Sequence, residues 1–125
     1  MTKEAALQAF FYSFGLPAYE ENAVPTGHHA PAFPYLTYSV ATDSLGTDVP
    51  ISCSLWYRDT SWKAANAKAR EISEYIGMGG GFLPCDGGSV WIRRGSPFAQ
   101  SMGDESDELI KRKYINITAE FFTAD

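Results

Sequence analysis

The sequence predicts an α+β domain in which two helices pack on one face of a mainly antiparallel sheet of about four to five strands. Two stretches carry apolar residues at helical spacing, and several others alternate apolar with polar residues as strands do. These stretches follow one another as helix, strand, strand, helix, short hairpin and strand, without an internal repeat. Residues 1–125 are therefore predicted to form one domain, as is usual at this chain length.

Each predicted helix presents one apolar face. The first helix covers residues 2–14, and Gly15 and Pro17 are expected to end it. The second helix follows the possible capping residues Asp59 and Ser61, and Gly77 is expected to end it. The apolar positions that define the two faces are Leu7, Phe10, Phe11 and Phe14 in the first helix, and Trp62, Ala65, Ala69, Ile72 and Ile76 in the second.

Strict alternation predicts strands over residues 35–41, 51–58 and 109–122. Two further short strands, 82–85 and 89–93, flank an Asp-Gly pair that favours a tight hairpin turn. The apolar phase of the strands is predicted to meet the two helical faces in one core. Strand residues predicted in that core include Leu55, Ile115 and Ile117.

Three stretches are predicted to form loops that contact a partner. Residues 16–34 and 95–107 are rich in proline, glycine and polar side chains, and loops of this length are usually functional. Residues 42–48 form the acidic tip predicted between the first two strands, and a second acidic run lies at 104–108. We expect these segments to be mobile in the isolated chain and at least one of them to become protected on assembly.

Composition restricts the classes of partner. The chain has 10 basic and 15 acidic residues, a net charge of -5, and this balance disfavours binding of nucleic acid through its phosphates. We therefore predict no direct sequence-specific contact with nucleic acid. Apolar runs stay short of the roughly 18 residues that cross a bilayer, and the N-terminus lacks a signal-type pattern, so the chain is expected to act in the cytosol without a membrane.

The side chains able to do chemistry are few and scattered. Cys53 and Cys85 are interpreted as buried apolar residues, and the adjacent His28 and His29 point in opposite directions in an extended segment. We therefore expect no catalytic residue, no cofactor and no metal. The alternative left open is a small enzyme in which one of these histidines activates a cysteine.

Aromatic side chains also fall on the polar phase of the strands or at their ends. A two-layer domain would leave them in water, and a surface rich in tyrosine and tryptophan is better explained by a partner that covers it. The residues concerned are Tyr35, Trp56, Trp91, Tyr114 and Phe122.

Four strings along the chain resemble small tail-completion proteins of long-tailed bacteriophages, with the tail terminator group the nearest match. They are Phe-Gly-Leu-Pro at 14–17, Pro-Ala-Phe-Pro-Tyr-Leu-Thr-Tyr at 31–38, Ser-Leu-Trp-Tyr-Arg at 54–58 and Tyr-Ile-Asn-Ile-Thr-Ala-Glu-Phe at 114–121. Their order spans nearly the whole chain. The triple glycine at 79–81 and the histidine-bearing loop depart from the pattern of the group.

The resemblance implies a structural virion protein that is not an enzyme. It further implies that the subunits form a ring, usually of six, which caps the tail tube and contacts the head connector. The implied location is the virion tail, with assembly in the host cytoplasm, and the implied partners are further copies, the tail tube and the connector. A head-to-tail adaptor or another minor joint protein is the alternative. Interface candidates are His28, His29, Asp43, Asp48, Trp91, Asp104, Glu105 and Asp107.

Overall fold

A computed structural model describes residues 1–40 and 49–123 and shows a six-stranded mixed sheet curled into a half-barrel. The predicted fold class, two helices on one face of a mainly antiparallel sheet of about four to five strands, is therefore wrong, because the sheet is larger and mixed and strands dominate the chain. The strand order is β1-β2-β3-β6-β5-β4. The elements are α1 (Lys3–Tyr12), β1 (Ala18–Glu20), β2 (Tyr35–Val40), β3 (Val49–Arg58), α2 (Lys63–Ile76), β4 (Gly81–Cys85), β5 (Gly88–Gly103) and β6 (Ile110–Thr123).

The strand missed at the start of the chain is β1, inside a segment predicted to be mostly extended loop. It has only three residues, too few for any alternation to be recognised. It lies parallel to β2, with Ala18 opposite Leu36, and the backbone N–H of Leu36 donates to the carbonyl of Pro17 at 2.8 Å. A parallel pair needs a long connection, and residues 21–34 supply it.

The second error concerns residues 95–107, predicted as a loop. Residues through Gly103 continue β5 along β6, with the register shifted between Arg94 and Ala99. This bulge accommodates Pro97, whose carbonyl accepts a hydrogen bond from Asn116 Nδ2 at 2.9 Å. A Cβ at Gly95 would lie 2.7 Å from the backbone oxygen of Asn116, so this close approach requires glycine. Gly95 and Pro97 are thus part of a bulged strand.

The predicted core is confirmed. Both helices and the apolar phase of the strands meet in one buried cluster on the inner face of the sheet. The helix and strand positions predicted from spacing are buried there, except that Trp62 is only partly buried against the cluster. The β4–β5 hairpin is confirmed as well, with Gly81 opposite Ile92 and Cys85 opposite Gly88.

Local signals account for the helix ends. Thr2 caps α1, because its hydroxyl accepts a hydrogen bond from the backbone N–H of Ala5 at 3.1 Å. Gly77 ends α2 with a φ of 79°, a conformation that glycine adopts without a steric penalty. In the described part of the chain, neither helix has the length and apolar content needed to span a membrane.

Candidate assembly surface

The sheet face opposite the core, which we call the outer face, has neither helix packed on it within the described residues. Its side chains come from the second phase of each strand, and the strand registers bring them together. Aromatic and arginine side chains lie along this face in two clusters. The aromatic members are Tyr35, Trp56, Phe82, Trp91, Tyr114 and Phe122.

The first group, the edge cluster, lies on β4, β5 and β6. Phe82 stacks on Trp91, with ring centroids 5.9 Å apart, and also lies 6.4 Å from Phe122. The Arg93 guanidinium covers the Trp91 ring at 4.1 Å and lies 4.0 Å from the Glu120 carboxylate. Phe82 is 61% exposed and Phe122 is 47% exposed, so the cluster presents unusually large apolar side chains to solvent.

The second group, the central cluster, lies on β2, β3 and β6. Tyr35 stacks on Trp56 at 6.1 Å, and the Arg112 guanidinium lies between Trp56, at 4.9 Å, and Tyr114, at 5.4 Å. Beneath the rings, Trp56 Nε1 donates to the hydroxyl of Thr37 at 2.9 Å. The ring stacking, the cation–π contacts and the hydrogen bond hold these amphipathic side chains in one orientation. Side chains that are already fixed in this way lose little conformational entropy when a partner binds.

A separate open groove of about 750 Å³ runs between α1 and the β1–β2 pair. Its walls include the carboxylates of Glu4 and Glu20 and the rings of Tyr12 and Tyr38. Burial, and secondly the negative charge of Glu20, raises the pKa of Tyr38 above its ordinary value. The groove therefore combines acidic and aromatic side chains, and the described residues that line it include neither a cysteine nor a histidine.

The predicted interface residues occupy different parts of the molecule. His28 and His29 are exposed in a short 3-10 helix over Gly27–His29, so the extended conformation predicted for them is wrong. Trp91 lies in the edge cluster of the outer face. Asp43 and Asp48 are outside the described residues.

The acidic run between β5 and β6 forms an ordered turn rather than an open loop. The Asp104 carboxylate accepts from the backbone and hydroxyl of Ser106, and these bonds lower the pKa of Asp104. The Asp107 carboxylate accepts from the backbone N–H of Leu109, which mainly lowers its pKa, and pairs with Arg58 at 3.0 Å. Glu105 is exposed between them.

The two cysteines occupy different environments. Cys53 is 2% exposed in the core, and burial raises the pKa of its thiol well above the ordinary range. Such a thiol stays protonated and is a poor nucleophile at neutral pH. Cys85, at the end of β4, is only partly buried and unbridged. Among the residues that the structure describes, no group of three potential metal ligands comes together.

The interface candidates named from the sequence do not include Phe82, Arg93 or Arg112, which the structure places on this surface. The signal for Arg112 lies in the alternation of β6, because Lys111 and Lys113 approach Trp62 on the inner side while Arg112 points to the outer face. Phe82 has no such local signal. Its position in the edge cluster depends on the pairing of β4 with β5, which places Phe82 opposite Trp91.

The fold is similar to that of a chain in the solved virion of a native gene transfer agent particle. The two share a TM-score of 0.56 and 20% sequence identity, and the alignment covers 94% of this chain and 90% of that chain. At this identity the similarity concerns the fold. No protein-family model matches the chain, and a search of curated proteins found no match.

Proposed function

We propose that the protein is a structural virion component of a tailed bacteriophage or a phage-like particle, acting as a tail terminator or tail-completion subunit. The observation that carries the proposal is the fold shared over 94% of the chain with a component of a gene transfer agent virion. The outer face supports it independently. Arginine-stacked aromatic side chains on a sheet face that neither described helix covers are typical of protein–protein interfaces.

In this proposal the protein assembles as a ring of identical subunits on the end of the tail tube, with the head connector as its other neighbour. A closed ring needs a heterologous contact, in which two different surfaces of each subunit meet. The chain offers the basic and aromatic outer face and the acidic groove beside α1, which lie on different parts of the molecule. The protein would then belong to the virion tail, assembled in the host cytoplasm.

A non-enzymatic role is part of the same proposal. The nucleophile pair considered above needs an accessible, activated thiol, whereas Cys53 is in the core with a raised pKa. Among the described residues, the walls of the groove beside α1 contain no histidine or cysteine. Binding, rather than covalent chemistry, is what the described side chains support.

Native mass spectrometry over a concentration series, followed by electron microscopy of the largest species, tests the ring. A closed ring of one size supports the proposal, and a chain that stays monomeric both alone and with isolated tail tubes contradicts it. Co-purification separates the two joint roles. Capture of the tube protein favours the terminator, whereas capture of the connector alone favours the head-to-tail adaptor.

A further inference from the structure

A small polar depression on the outer face lies beside the central cluster and has no assigned role. Its volume is about 200 Å³, below the usual size of small-molecule sites but sufficient for the head of one side chain. The walls are mostly hydroxyl-bearing, together with one arginine and one exposed glutamate at the rim. They comprise Glu21, Thr37, Tyr38, Ser39, Ser52, Cys53, Ser54, Arg112 and Tyr114.

Arg112 is held in one orientation in this pocket. Its guanidinium lies between the rings of Trp56 and Tyr114, and its Nε donates to the hydroxyl of Ser54 at 3.0 Å. Ser54 is itself only 4% exposed. The arginine is thus preorganised by two rings and a buried hydroxyl before any ligand arrives, and less entropy is lost when a planar guanidinium binds in this way.

The charge of Arg112 has no counter-ion within residues 1–40 and 49–123. Lys68, Arg58 and Arg93 all lie within ion-pair distance of a carboxylate, whereas Arg112 has only the Ser54 hydroxyl and the two rings. Glu21 also lines the pocket, but no ion pair joins its carboxylate to the Arg112 guanidinium. A partly buried guanidinium gains most from a carboxylate that accepts two parallel N–H bonds.

We infer that this pocket binds one carboxylate side chain presented by a second copy of this chain. A polyanion such as DNA is disfavoured, because tracking a phosphate backbone needs several available cations on a protein that here carries a net charge of -5. A second copy is favoured by charge complementarity, because the chain has 15 acidic residues against 10 basic ones and so carries an excess of carboxylates that a positively charged pocket can bind. The inference rests on the proposed ring, in which each copy presents both the pocket and the carboxylate.

Three carboxylates on separate elements are tested as the group presented. Each is exposed and has no ion-pair partner in the described part of the chain. They are Glu4 in α1, Glu20 in β1 and Glu105 in the turn before β6.

Sedimentation equilibrium of the full chain and its variants measures the contact. Arg112→Glu should raise the dissociation constant for self-association at least about 30-fold, because the carboxylate then meets a like charge. Arg112→Lys should raise it less, about 10-fold, since lysine keeps the charge but lacks the planar fork. Arg70→Glu, on the exposed side of α2, is the matched control and should leave the constant unchanged.

Charge exchange identifies the source of the carboxylate. Arg112→Glu is combined in turn with Glu4→Arg, Glu20→Arg and Glu105→Arg, and one of these pairs should restore association to within about threefold of the wild type. Restoration also shows that Arg112→Glu folds. If none restores it although circular dichroism shows that Arg112→Glu is folded, none of these three carboxylates fills the pocket and the inference as stated is wrong. If wild-type protein binds a DNA duplex and Arg112→Glu abolishes this binding, the pocket binds phosphate instead and the inference is wrong.

The outcomes separate this inference from the proposed function. A ring that forms equally well with Arg112→Glu leaves the terminator proposal standing and overturns the carboxylate pocket. A dimer that depends on Arg112, without any ring, supports the pocket and contradicts the ring. A wild-type chain that remains monomeric up to about 1 mM overturns the second copy as the occupant.

Discussion

Replacing Ile117 by alanine tests whether the helices and sheet share the core described above. Ile117 is 2% exposed on β6, the strand between β3 and β5, with Ile51 and Arg94 as its register partners. The substitution removes three buried carbon atoms at about 0.8 kcal/mol each, which sets a lower bound near 2.4 kcal/mol. The unfilled cavity adds to this, so we expect a loss of roughly 3 to 5 kcal/mol in the free energy of unfolding.

Urea unfolding followed by circular dichroism measures this loss. Thr118→Ala is the matched control, because Thr118 is the next residue along β6, lies on the outer phase and is partly exposed. It should change the free energy of unfolding by no more than about 0.5 kcal/mol. A loss below about 1 kcal/mol for Ile117→Ala, or a larger loss for Thr118→Ala, would mean that the two phases of β6 are exchanged and that the core lies elsewhere.

Three further perturbations probe local features. Gly88→Ala should cost more than about 1 kcal/mol, because the added Cβ would overlap the backbone of β6, whereas Gly79→Ala meets open space and should be nearly neutral in the same urea assay. A thiol reagent should label Cys85 in the native protein and Cys53 only on unfolding, and prompt native labelling of Cys53 would contradict its burial. Asp107 has a pKa below its ordinary value of 3.8 in the native state, mainly because its carboxylate accepts from the backbone N–H of Leu109. Its contribution to stability is therefore present above 3.8 and is lost as the pH falls through the lowered native pKa. Asp107→Asn should flatten the pH dependence of stability below about pH 4, and an unchanged pH dependence would refute the bonds assigned to the carboxylate.

Periodicity was sufficient to predict both helices, the long central strands and the β4–β5 hairpin. In each case the buried side chains recur with the period of their own element, so a local pattern carries the information. It failed for β1, whose three residues are held by a parallel partner beyond a long connection. It also failed for the second half of β5, where Gly95 and Pro97 act within a bulge and not as strand breakers.

The surface was predictable to a similar extent. The phase of the strands correctly placed Trp56, Trp91 and Tyr114 away from the helices. The pocket around Arg112 could not be predicted from the sequence, because its walls are brought together by the registers of β2 with β3 and of β3 with β6. Those pairings join positions far apart in the chain, and a single sequence does not specify their register.

Hydroxyl-radical footprinting, comparing dilute monomer with the assembled protein, tests the central claim that the outer face makes the contacts. Phe82, Trp56 and Trp91 should be oxidised at least about threefold more slowly in the assembly, because association covers both clusters. Tyr75 and Met78, which are 63% and 96% exposed near the end of α2, should keep their monomer rates. Protection of Tyr75 and Met78 with unchanged oxidation of the outer-face aromatics would contradict the account.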